Sequence, residues 1–118
     1  MSQTRILFVE DEDDLRFLIF DALTDLGYDV TMAGNGREAM GKLRDGTAFD
    51  HVVTDVSMPH GVSGLEVAEE AARLHPGAGI VLVSGYQRSQ LPPLPDGARF
   101  LPKPYRLHQL LGVIESVG

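Results

Sequence analysis

Five short apolar runs punctuate this chain, and segments of helical periodicity fill the gaps between them. The runs are Arg5–Val9, Tyr28–Ala33, His51–Thr54, Gly79–Val83 and Ala98–Leu101, each short enough to read as a strand, the first four carrying β-branched residues and the last Phe100. Between the first two, Leu15, Leu18, Ile19, Ala22, Leu23 and Leu26 recur at spacings of three and four, which lays them on one helical face starting near Asp13. Aspartates suit the cap and first turn of such a helix, and Gly27 suits the left-handed residue just past its end. Asn35-Gly36 reads as a turn, leading into a helix over 36–44 with Ala39, Met40 and Leu43 inward. A third helix spans about Ser63–Leu74 with Leu65, Ala68, Ala72 and Leu74 inward, and Pro76 prevents its continuation. The last covers about Tyr105–Val117, with Leu107, Leu110, Leu111, Ile114 and Val117 inward.

One helix is out of place by its absence. Alternation demands a helix between the fourth and fifth runs, but the segment there reads GYQRSQLPPLPDG. Each interior proline costs a helix about 3 kcal/mol, and Pro92, Pro93 and Pro95 all fall in it. This helix is therefore expected to be missing, or a turn or two around Gln87–Leu91. The whole pattern predicts a single α/β domain over 1–118: a flavodoxin-like, doubly wound, five-stranded parallel sheet of order 2-1-3-4-5.

Composition narrows the function classes. The chain has 118 residues, 43% of them hydrophobic, and no cysteine, which excludes disulfides and thiolate metal sites. No apolar run approaches a membrane span, and the N-terminus does not read as a signal peptide, so the cytoplasm is the expected location. A net charge of −7 without a basic stripe argues against a nucleic-acid partner. The four histidines have no metal spacing, and neither a dinucleotide nor a P-loop fingerprint is present.

The residues that end the runs carry the candidate chemistry. In an open parallel sheet, ligands collect at the carboxyl ends of the strands, at the switch point where the strand order reverses. Here that point lies between the first and third strands, which end in Glu10-Asp11 and Asp55. Ser84 ends the fourth run and Lys103 comes after the fifth. Hard oxygen ligands of this kind suit Mg²⁺, and a carboxylate beside a metal can attack phosphorus to give an aspartyl phosphate. The Lys103 ammonium can offset charge on a phosphoryl group, and the Ser84 hydroxyl can donate to it. Taken alone, Glu10–Asp14 reads as a solvated loop leading into a helix, and Ser84 and Lys103 read as ordinary strand-end residues; only their convergence favours a site. Lys103-Pro104 is also a candidate cis peptide.

Four pieces, ILFVEDED, VVTDVSMP, VLVSGY and FLPKPY, occur in order along the chain. With them the sequence resembles the receiver domain of two-component response regulators over essentially its full length. The resemblance implies that Asp55 accepts a phosphoryl group from a phosphohistidine of a sensor kinase or phosphotransfer protein. It implies Asp11 as a direct Mg²⁺ ligand, Glu10 acting mainly through a metal-bound water, and Asp55 and the Ser57 carbonyl completing the protein ligands. Ser84 is then the switch hydroxyl, Phe100 the aromatic switch (plain core filling reads equally well), and Lys103 the partner of the phosphoryl oxygens. The product is a signalling phosphoprotein that acts on a downstream protein partner and catalyses only its own phosphorylation and dephosphorylation. Two departures stand out: the proline-rich segment, and one extra residue between Asp55 and Gly64, expected as a bulge near His60-Gly61. Two alternatives stay open, a Mg²⁺-dependent phosphatase working through an aspartyl phosphate and a receiver that binds partners without phosphorylation. The first usually wants a second acid two residues after the nucleophile, where this chain has Ser57.

Overall fold

The computed structural model describes residues 3–58 and 61–115. Five parallel strands form one sheet: β1 Arg5–Val9, β2 Asp29–Ala33, β3 His51–Asp55, β4 Gly79–Ser84 and β5 Arg99–Pro102, in the order β2-β1-β3-β4-β5. The helices are α1 Asp13–Asp25, α2 Gly36–Arg44, α3 Gly64–Leu74 and α4 Leu107–Glu115. Strand bounds differ from expectation by a residue at most, and α4 begins two residues later than expected, with the Arg106 N–H held by the Gln109 side chain at 2.7 Å. Val117 and His60 lie outside the described residues; Gly61, beside the expected bulge, takes a left-handed φ of 87°. No helix among the described residues is long and apolar enough to cross a membrane.

Alternating side chains divide the core in two, because successive residues of a strand point to opposite faces. Leu7, Val9, Val52, Ile80 and Leu82 pack with Ala39 and Leu43 of α2 and Val67, Ala68 and Ala71 of α3. Ile6, Phe8, Val53, Val81, Val83 and Leu101 pack with Ile19 and Leu23 of α1 and Leu110 and Ile114 of α4. A parallel sheet covered on both faces explains why the central strands read as continuous apolar runs.

The sequence overstated the width of two apolar stripes. Leu18 of α1 and Leu26 at its C-cap are 64% and 55% exposed, and Leu74 of α3 is also exposed. The α1 face that meets the sheet is the narrower stripe of Leu15, Ile19 and Leu23, so Leu18 falls on its flank and Leu26, the C-cap, follows the last helical residue. Gly27 does close α1: at φ 98° it lets its own N–H reach the Thr24 carbonyl and the Tyr28 N–H reach the Leu23 carbonyl, which satisfies two end carbonyls. Asn35, expected in a turn, is the N-cap of α2, its side chain accepting from the Glu38 N–H at 2.8 Å. Ser63 and Glu66 form a reciprocal cap on α3.

Between β4 and β5 there is only a single 3₁₀ turn, Arg88–Gln90. The prolines dictate the backbone beyond that turn. Proline fixes its own φ and pushes the preceding residue into extended backbone, so residues 91–95 have little freedom but an extended, polyproline-like course. Leu91 accordingly has φ −101° and ψ 152°. A polyproline helix repeats every three residues, and Leu91 and Leu94, three apart, both pack against the α2–α3 side of the core. Extended chain thus covers the sheet where a helix would otherwise lie.

Gly64 shows how tightly α3 is seated. A Cβ there would overlap the main-chain carbonyl of Asp55, and the Gly64 N–H donates to the Val56 carbonyl at 2.9 Å. Gly41, inside α2, faces open space. Gly64→Ala should lower the unfolding free energy by at least about 2 kcal/mol, as for other overpacked sites, whereas Gly41→Ala should raise it by roughly 0.5–1 kcal/mol. Urea denaturation of the two variants checks both signs.

Candidate phosphoacceptor and metal site

The carboxyl ends of β1, β3, β4 and β5 converge because the strand registers place them side by side. Val9 pairs with Thr54, Asp55 with Val83, and Ser84 with Pro102, so Glu10, Asp55, Ser84 and Lys103 arrive at one edge of the sheet. The Glu10 N–H donates to the Ala33 carbonyl at 3.0 Å and the Lys103 N–H to the Ser84 carbonyl at 2.8 Å, which extends the ladders one residue into the site.

Lys103 sits at its centre. Its ammonium donates to Asp55 Oδ2 at 2.5 Å and to Glu10 Oε1 at 3.0 Å. Both carboxylates are buried, Glu10 to 2% exposure and Asp55 to 5%. The second oxygen of each is also occupied: Glu10 Oε2 accepts from the Glu12 N–H and Asp55 Oδ1 from the Ser57 N–H. Asp11 stands beside them, exposed, and one oxygen from each of Glu10, Asp11 and Asp55 lies within 4.8 Å of the others. Three carboxylates face one ammonium, so the cluster carries excess negative charge and an all-oxygen donor set. That is the character of a site for a hard divalent ion.

Electrostatics bear the mark of this crowding. Burial pushes the Glu10 carboxyl above its usual range, and the Asp55 charge adds to that; the Glu12 N–H and Lys103 oppose the shift without cancelling it. For Lys103, burial works to lower the pKa, but hydrogen bonds from the ammonium to Asp55 and Glu10 outweigh it and hold the group above its ordinary value. Burial, then the Glu10 charge, raises the phenol of Tyr105, whose hydroxyl is buried without a hydrogen-bond partner among the described residues.

The remaining predicted residues are placed less directly. Ser84 is buried, and its Oγ accepts from the Tyr86 N–H at 2.9 Å, which leaves the hydroxyl hydrogen available. Ser57 meets Asp55 through its N–H, and its side chain is exposed. Phe100 lies on β5 in register with Leu82; it is half-buried and faces away from Leu101, on the side the proline-rich segment covers. Lys103-Pro104 is cis, as the sequence suggested. Arg16 and Tyr105 belong to this neighbourhood and were not singled out from the sequence; nothing but proximity to FLPKP and to the acidic run pointed to them.

The family description for the response regulator receiver domain matches residues 6–115. The chain belongs to the response regulator receiver family. Among relatives of this receiver, the response regulator receiver protein CpdR of Brucella abortus is 34% identical, with 96% of this chain aligned to 95% of that protein. The sensor kinase CckA of the same organism is 37% identical over 95% of this chain but only 12% of its own length, so the similarity there is to one part of a much longer kinase. The response regulator TrrA of Thermotoga maritima, solved in complex with Mg²⁺ and beryllofluoride, superposes with a TM-score of 0.83 at 34% identity, covering 98% of this chain and all of that one.

The raised Glu10 pKa has a testable sign. A carboxyl whose folded value lies above its unfolded value contributes stability that is complete below the unfolded pKa and lost as pH rises through the folded one. Its ordinary value is 4.5. In metal-free buffer, the stability of the wild type relative to Glu10→Gln should therefore fall as pH climbs from about 4.5 toward neutrality. A difference that stays flat or grows over that range, measured by urea unfolding, would contradict the assignment.

Proposed function

We propose that this receiver is a phosphoacceptor whose Asp55 takes a phosphoryl group from a phosphohistidine of a sensor kinase or phosphotransfer protein, with Mg²⁺ as cofactor. The observation that carries the reading is the Lys103 ammonium shared between the buried carboxylates of Asp55 and Glu10, with Asp11 alongside. The oxygen-only donor set fits the ion, and the relative TrrA was solved with Mg²⁺ and beryllofluoride. Asp11, Asp55 and the Ser57 carbonyl would hold it directly, and Glu10 through a bound water. When bound, the ion supplies positive charge against the phosphoryl oxygens and the attacking carboxylate.

The transfer itself needs little covalent machinery from the protein, and positioning and charge do most of it. A carboxylate oxygen of Asp55 attacks phosphorus in line with the phosphorus–nitrogen bond. That bond breaks with its electron pair moving to the imidazole, and Asp55 becomes an acyl phosphate. Lys103 turns from holding Asp55 to pairing with the added phosphoryl oxygens. Ser84 can donate its free hydroxyl hydrogen to the same group while still accepting from Tyr86. Phe100, half-buried on the sheet face it shares with Leu82, is the side chain we assign to follow Ser84 in the switch. Phosphorylated and unphosphorylated forms are then two populations biased by this contact.

The phosphodonor has an accessible apolar approach in Phe17 and Leu18, which are 50% and 64% exposed in the opening turns of α1 beside the acidic loop. The output side is expected to engage a protein rather than nucleic acid, given the net charge of −7. The phosphatase alternative is not favoured, because position 57 lacks the second acid that class uses.

With Mg²⁺ present, acetyl phosphate should label the wild type to about one phosphate per chain, and Asp55→Asn should lose all labelling. Lys103→Gln should bind Mg²⁺ yet be labelled more slowly by a factor of about a hundred or more, the usual scale for removing a charge-stabilising donor. Undiminished labelling of Asp55→Asn would sink the assignment, and steady multiple turnover of a phosphate ester would replace it with the phosphatase.

A further inference from the structure

Arg16 places a cation against the back of the acidic run. It sits in the first turns of α1, yet its side chain is only 14% exposed. One guanidinium nitrogen donates to the main-chain carbonyl of Glu10 at 2.9 Å, and the other to Asp13 Oδ1 at 2.7 Å. Its own N–H closes the first helical turn on the Glu12 carbonyl at 2.9 Å. Gly34, just beyond β2, leaves room for the group: a Cβ there would lie 3.2 Å from the guanidinium nitrogen that reaches Glu10. The fork therefore ties the end of β1 to the start of α1 across the five acids Glu10–Asp14 and is packed against the end of β2.

The Glu10 carbonyl belongs to the peptide that joins Glu10 to Asp11. Holding that carbonyl restricts the plane of the peptide and so limits the directions in which the Asp11 side chain can leave the backbone. Glu10 is buried and held by Lys103 and the Glu12 N–H, but Asp11 is exposed. Its carboxylate thus depends on the backbone for its aim. Losing such a supporting contact typically costs about 10–100-fold in metal affinity.

We propose that Arg16 is a positioning residue of the metal site, whose fork on the Glu10 carbonyl and the Asp13 carboxylate orients the Glu10-Asp11 peptide so that Asp11 is aimed before the ion arrives. The proposal rests on the reading of Glu10, Asp11 and Asp55 as a Mg²⁺ site. It makes a prediction opposite in sign to simple electrostatics. A cation beside a metal site repels the metal, so charge removal alone would tighten binding. Loss of aim weakens it.

The experiment is a Mg²⁺ titration of the ¹⁵N-labelled protein by NMR, for wild type, Arg16→Met and Arg16→Lys, with melting curves in EDTA to confirm that each variant is folded. Arg16→Met should weaken Mg²⁺ binding by roughly tenfold, the lower end of the effect of losing an outer contact to a ligand. Arg16→Lys keeps the charge but not the two-pronged fork, and should weaken binding by a smaller factor. The Asp11 amide resonance should already be displaced in both variants without metal. Binding by Arg16→Met that equals or exceeds wild type overturns the proposal. If Arg16→Met does not fold, wild-type affinity in Arg16→Lys overturns it instead. A wild type that shows no saturable Mg²⁺ shifts overturns the underlying site assignment, which separates the two failures.

Discussion

Everything at the carboxyl edge of the sheet depends on one ammonium held between two buried carboxylates. Without Lys103, the Glu10 and Asp55 charges would face each other in a region that excludes water, and an unpaired buried charge is costly. With it, the crowding is tolerable but not relieved, since burial and the Asp55 charge still push the Glu10 carboxyl above its usual range. A site in that condition is prepared for added positive charge and responsive to added negative charge. In the function proposed, a divalent ion would relieve the excess, and a phosphoryl group on Asp55 would take over the lysine. Under the proposed function, that same crowding of charge would make the site sensitive to phosphorylation.

The positions of these groups are secured from outside the site. Strand register brings Asp55 and Lys103 to one edge, and the Ser84 carbonyl fixes the Lys103 backbone. Gly64 lets α3 start directly against the Asp55 carbonyl. On the far side of the same helix, buried Glu70 accepts from Arg44 of α2 and Arg73 of α3, with its pKa held down by those two guanidinium groups. Helices α2 and α3 are therefore joined to each other and to the strand that carries Asp55. The segment after Ser84 is built otherwise. It reaches β5 through one 3₁₀ turn and a proline-fixed extended stretch, anchored by Leu91 and Leu94. If Ser84 is the switch, as proposed, its signal would enter a stiff strap instead of a helix, and a partner on that face would meet extended chain.

The element order and sheet topology were legible because parallel strands buried on both faces are apolar throughout and end abruptly in polar residues. The missing helix was legible because proline chemistry is local. What was misread was burial at the margins of helices. Leu18, Leu26 and Leu74 have the right spacing, but whether a flanking position meets the sheet depends on how far the sheet extends beneath it. Asn35 looked like a turn residue because caps and turns use the same side-chain chemistry, and only the helix after it distinguishes them.

The sequence by itself determined the kinds of groups present and the strand ends at which they occur, since both derive from residue type and from periodicity along the chain. Tertiary structure decided which atoms meet. The 2.5 Å contact between Lys103 and Asp55 spans 48 positions, and the 3.0 Å contact to Glu10 spans 93. No periodicity reaches so far; only strand register sets those distances. The role of Arg16 was hidden for a related reason. Its partner is a main-chain carbonyl, which every residue possesses, and only folding makes the one at Glu10 matter.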